Sequence, residues 1–85
     1  VKIVTRYGAN SKGAGKVTAT TRIDGKSKQK TITYDHENSP GYNHGAAVAE
    51  LLMPLVPVNR RGFVAATAKV SVDLDNGSMT FEATL

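Results

Sequence analysis

The sequence holds no cysteine and no tryptophan, and aromatic residues make up only 6% of its 85 positions. Without cysteine there is no disulfide and no thiolate metal site, and a cytoplasmic location is expected. Few aromatics leave little for a single-strand nucleic-acid binder to stack bases on; only Tyr7, Tyr34 and Tyr42 could serve. No apolar run approaches the ~20 residues needed to cross a bilayer. No charged-then-apolar leader opens the chain, so no membrane partner is expected. Acidic residues are nearly missing from the first part. Between Val1 and Tyr34, Asp24 stands alone against Lys2, Arg6, Lys12, Lys16, Arg22, Lys26, Lys28 and Lys30, a net charge of +7. From Asp35 onwards, Arg60, Arg61 and Lys69 face six acids, a net of −3. A field polarised in this way attracts phosphate-rich partners. The bland alternative is a solvated surface that keeps the protein in solution.

What is present is patterned for a small α+β fold, a single domain over residues 1–85 with a modest core. "VKIVTRY" alternates, with Val1, Ile3, Thr5 and Tyr7 on one face and Lys2, Val4 and Arg6 on the other. "GANSKGAG" is expected to be a loop. Val17, Ala19, Thr21 and Ile23 then alternate with Lys16, Thr18, Thr20 and Arg22, and Asp24-Gly25 suits a two-residue hairpin turn. Such a turn pairs Ile23 with Lys26, Thr21 with Lys28, Ala19 with Lys30 and Val17 with Ile32. The hairpin base is then apolar and its tip cationic, and the tip is expected to project from the body.

After the "DHENSPG" loop, a helix is expected from about Tyr42 or Asn43, with Asn43 as its cap. Its core stripe would be Val48, Leu51, Leu52 and Leu55, with Ala47 beside it, and Pro54 would end it near Met53. A last strand pair follows. Residues from Val64 to Leu74 alternate, and a turn at Asn76-Gly77 would set Leu74 against Met79, Val72 against Phe81, Val70 against Ala83 and Ala68 against Leu85. The expected architecture is a two-layer sandwich in the order β-β-β-α-β-β. An antiparallel sheet of about five strands carries one helix on one face. The uncovered face of Thr, Ser, Ala and Lys would tolerate water, or could pack against a second copy as a homodimer.

Two groups of residues are candidates for function. The basic hairpin could meet double-stranded nucleic acid, because a two-stranded ribbon fits the major groove. Arg22 would read base edges, and Lys16, Lys26, Lys28 and Lys30 would contact phosphate, with the hydroxyls of Thr18 and Thr20. Arg60 and Arg61 could extend the patch. Lysines on an exposed strand can equally serve only to keep sheets from pairing edge to edge. The second group is Tyr34, Asp35, His36, Asn43 and His44 in "YDHENSPGYNH". Histidines and carboxylates bind metals or move protons, but these histidines stand eight apart across a Pro-Gly break, with no third ligand at a recognisable spacing. A structural knot around the helix start is the expectation, with no metal, no cofactor and no catalytic residue. "GANSKGAGK" lacks the strand–loop–helix order of a phosphate loop, and "DLDNGSMTFE" has its glycine one place early for a calcium loop.

The run "KQKTITYDHENSPGYNHGAAVAELL" resembles small proteins of actinobacterial phages and their hosts, through Lys28, Gln29, Lys30, Thr31, Tyr34, Asp35, His36, Ser39, Asn43 and His44. The resemblance covers about a third of the chain. It implies no particular activity, but an accessory protein acting inside a bacterial host cell. A non-enzymatic nucleic-acid-binding domain is therefore the leading expectation. A module that docks on a host or phage protein is second, and a histidine-dependent enzyme third.

Overall fold

The computed structural model describes residues 1–9, 15–62, 64, 69–73 and 77–84. The chain runs β1 (Lys2–Ala9), β2 (Gly15–Ile23), β3 (Lys26–Thr33), α1 (Pro40–Leu52), β4 (Lys69–Asp73) and β5 (Ser78–Glu82). The five strands form one antiparallel sheet in the order β3-β2-β1-β5-β4, and α1 packs on one face of it. The α+β sandwich and its β-β-β-α-β-β order are as the sequence pattern requires.

The first hairpin has the expected register: Val17 pairs with Ile32, Ala19 with Lys30, Thr21 with Lys28 and Ile23 with Lys26. Its two turn residues, Asp24 at φ 52° and Gly25 at φ 77°, are both left-handed. That geometry matches the twist of the strands, which is why Asp-Gly is favoured there. The hairpin is not a free arm, however. β1 pairs with β2 from Ile3↔Thr21 to Ala9↔Gly15, so only the tip from Arg22 to Ser27 extends past the ladder. Ile3, Thr5, Val17, Ala19 and Thr21 are all buried. The alternation that made β2 a strand also gave it two neighbours and a core face.

The helix starts earlier than expected. Ser39 is the N-cap, its Oγ accepting the Tyr42 N–H at 3.1 Å, and Pro40 takes the first helical position. Proline fits there because the missing N–H would have had no partner and its φ is already helical. α1 stops at Leu52, and Pro54 lies within a 3-10 turn over Met53–Leu55. The change to three residues per turn takes Leu55 off the stripe, and it is 42% exposed. Ala47, Val48, Leu51 and Leu52 remain as the buried face, packed in one cluster with Ile3, Val17, Met79 and Phe81.

β3 and β4 are opposite edges, so the chain must cross the whole sheet between them. α1, the turn at Met53–Leu55 and a second 3-10 turn at Val58–Arg60 make that crossing. Arg61, Gly62 and Val64 are helical as well, and Val64 enters the core from this crossover, not from a strand. The described part of β4 opens at Lys69, opposite Glu82. The expected position of Ala68, like those of Leu74, Asn76 and Leu85, lies outside the described residues.

The last hairpin is shifted by two residues from its expected register. Val72 pairs with Met79 and Val70 with Phe81, and the described pairing ends at Asp73 opposite Ser78. Gly77, at φ 60°, supplies a left-handed position, and its carbonyl accepts the Tyr7 N–H at 3.1 Å. That bond ties the end of the turn to β1, where Thr5 already pairs with Met79. A shift of two keeps each residue on its own face, so Met79 and Phe81 stay buried. On the edge, beyond the cover of α1, Val70 is 54% exposed.

Candidate nucleic-acid interface

Sheet order brings the basic strands together. β3, β2 and β1 are consecutive, and they carry Lys2, Arg6, Lys16, Arg22, Lys26, Lys28 and Lys30, with Asp24 at the turn as their one acid. Lys2 faces Glu82 where this half meets β5.

Within that half the cations divide between the two faces. Lys16 and Arg22 alternate with buried Val17, Ala19 and Thr21, so they lie on the open face with Lys2 and Arg6. Lys26, Lys28 and Lys30 pair with Ile23, Thr21 and Ala19, so they lie on the helix side of β3. The single cationic patch expected from the sequence is therefore two groups that approach one another at the tip. β3 is the sheet edge and also packs against α1; on it Lys26 and Lys30 are exposed and Lys28 is half-buried.

On the open face, Thr18 and Thr31 share a hydrogen bond of 2.9 Å between hydroxyls. Thr20 is exposed, and with Val4, Arg6 and Thr18 it lines a shallow depression. Arg60 and Arg61 belong to the crossover and not to the sheet, and the Arg61 Nε–H donates to the Val56 carbonyl at 3.2 Å.

Of the second group of candidates, Asp35 and Asn43 are joined directly by hydrogen bonds at the helix start. The Asn43 side chain is buried and works in both directions. Its Oδ1 accepts the Asp35 N–H at 2.7 Å, and its Nδ2 donates to the carbonyls of Asp35 at 2.9 Å, Ser39 at 3.0 Å and, more weakly, Asn38 at 3.4 Å. Asn43 thus does not cap the helix. It ties the incoming loop to the first helical turn. The Asp35 carboxylate accepts the Glu37 N–H at 2.9 Å and the Asn38 amide at 3.2 Å, closing an Asx-type turn.

His44 is buried on the other side of the same turn, its Nδ1 2.6 Å from the Thr5 hydroxyl, which lies 3.2 Å from the Met79 carbonyl. The hydroxyl has one proton. Donated to Met79, it leaves the Thr5 oxygen to accept from Nδ1–H, which fixes the neutral tautomer. Burial pushes the His44 pKa below its ordinary 6.5. The unfolded chain then takes up the proton more readily than the folded one. Stability should be fully present above about pH 6.5 and fall as the solution is acidified below it. Thermal melts from pH 7.5 to 5 should show that decline, and His44→Gln should flatten it. An unchanged slope in that variant would mean another group is responsible.

His36 is exposed and far less enclosed. Its ring stacks at a tilt on Tyr34, centroids 4.9 Å apart, and Tyr34 meets Tyr7 edge to face, also at 4.9 Å. Among the described residues no three His, Cys, Asp or Glu side chains gather into a metal-binding group. No helix among them is long and apolar enough to span a membrane.

Sequence reasoning missed three things. Ser39-Pro40 is a readable cap-and-N1 signal. The Thr5–His44 contact, 39 residues apart, has no local signal. The Tyr7–Tyr34–His36 row follows only once the β1–β2 register is known. Comparison with family models, with curated proteins and with solved structures finds no match for this chain.

Proposed function

We propose that this is a non-enzymatic nucleic-acid-binding domain whose contact surface is the basic half of the sheet. The observation that carries the reading is the line of Lys26, Lys28 and Lys30 on one side of an edge strand, beside a sheet half whose other face carries Lys2, Arg6, Lys16 and Arg22. Ammonium groups at an exposed edge reach a phosphate backbone without having to leave a packed environment. With the hairpin held in the sheet, groove insertion is limited to the tip, where Arg22 sits beside Ser27. Backbone contacts therefore provide most of the binding, with little dependence on base sequence. A second copy stacked on the open face would set Lys2, Arg6, Lys16 and Arg22 against their own kind, so any dimer would form elsewhere. The resemblance to phage proteins supports an accessory role inside a bacterial cell.

Salt dependence tests the reading. Three phosphates neutralised on a duplex give a slope of log affinity against log salt near −2.7, an approximately 40-fold loss between 50 and 200 mM. Anisotropy with a labelled duplex should show a fall of that order. Affinity indifferent to salt, or no binding, would contradict it and leave the protein-docking module as the better account.

A further inference from the structure

The helix-side face of β3 does not end with its lysines. Lys26, Lys28 and Lys30 are followed by Ile32 and then by Tyr34, whose N–H still bonds the Gly15 carbonyl at 2.9 Å and so extends the β2–β3 ladder by one place. Successive members of this line stand about 6.8 Å apart, two residues of strand rise. At its far end Tyr34 is half-buried against the core, with Tyr7 on one side and His36 on the other. Tyr7 is 39% exposed, and His36 is exposed. The Tyr7 ring lies directly over Gly15: a Cβ at that glycine would stand 2.6 Å from Tyr7 Cε2 and 3.1 Å from Tyr34 Cβ. The glycine is a seat that lets the ring lie down on the sheet.

Tyr34 packs against the core, but Tyr7 and His36 leave ring surface open to solvent. A line of cations leading to exposed rings does have a ligand chemistry. Phosphates follow the lysines, and bases need a π surface. A duplex hides its base faces within the stack, and only an unpaired strand can present them.

We propose that Tyr7, Tyr34 and His36 form a base-stacking platform at the end of the lysine line, so that the preferred ligand is a single strand of nucleic acid. Tyr34 is the support, and Tyr7 and His36 offer the outer surfaces. The inference rests on the nucleic-acid reading above and narrows its ligand.

The test compares three labelled probes by anisotropy: an oligothymidylate of about ten nucleotides, an abasic strand of the same length, and a duplex. The wild-type protein should bind the oligothymidylate about tenfold more tightly than the abasic strand. His36→Ala and Tyr7→Ala should remove that difference while leaving affinity for the abasic strand unchanged, and His36→Phe should restore it. His36 is exposed, so its replacement keeps the fold and the test remains valid if Tyr7→Ala does not. Tyrosine fluorescence, free of any tryptophan background, should be quenched by oligothymidylate and not by the abasic strand. A duplex bound as tightly as the oligothymidylate, equal affinity for the two strands, or equal loss on both in His36→Ala, would overturn the platform while the phosphate-binding function stands. Failure to bind any of the three probes would overturn both.

Discussion

Asn43→Ala is expected to lower the unfolding free energy by about 3 kcal/mol, a large effect for one polar side chain. Asn43 is 3% exposed and joins four backbone groups across the start of α1. Alanine removes both halves of the amide at once. The part-buried Asp35 N–H then loses its acceptor, at a cost of roughly 1–3 kcal/mol, while the Ser39 and Asp35 carbonyls lose the amide but keep the backbone N–H groups of residue 43 and Asn38. For a domain of this size the melting temperature should fall by about 15 °C. Asn43→Asp keeps the acceptor and loses the donors, so it should land between the two. Urea unfolding of the three proteins measures this directly. A loss below about 1 kcal/mol for Asn43→Ala would show that the loop does not depend on the amide.

Reversing Lys26, Lys28 and Lys30 to glutamate together should weaken nucleic-acid binding about 100-fold or more at low salt and leave the fold intact. Lys26 and Lys30 are exposed, Lys28 is half-buried, and all three lie on one face of the edge strand. The choice of glutamate matters. If the lysines serve only to keep β3 from pairing with another sheet, charge of either sign does that work, and glutamate should be neutral. If they neutralise phosphates, the sign decides everything. Anisotropy alongside circular dichroism separates the two. Unchanged affinity in a folded triple variant would remove the lysine line from the account.

The legible parts of this molecule were those governed by local periodicity. Alternation fixed the faces of β1 and β2, and Asp24-Gly25 fixed the register of the first hairpin, because that turn has one good geometry. The second hairpin was legible in its faces but not in its register. A turn at Asn76-Gly77 suggests one register, but the strands pair two residues away from it, alongside the Thr5–Met79 pairing and the Tyr7–Gly77 bond. Those are contacts with a strand more than sixty residues away, and no local pattern reports them.

The same divide runs through the candidate site. The cations were visible as letters, but strand pairing sent Lys16 and Arg22 to one face and Lys26, Lys28 and Lys30 to the other. The projecting arm failed as an expectation because β1 claims the second edge of β2. Tyr34, Asp35, His36, Asn43 and His44 stand out in the sequence as one group around the helix start. Their division into a buried amide staple, a buried imidazole on Thr5 and an exposed ring on Tyr34 needed the fold.

The most direct test of the account is to map backbone amide shifts while a short oligonucleotide is titrated into isotopically labelled protein. Perturbations should concentrate on β3 from Lys26 to Thr33, on the hairpin tip and on Tyr7, Tyr34 and His36, with β4 and β5 largely silent. Shifts confined to β4, β5 or the outer side of α1, or none at all at saturating oligonucleotide, would contradict it.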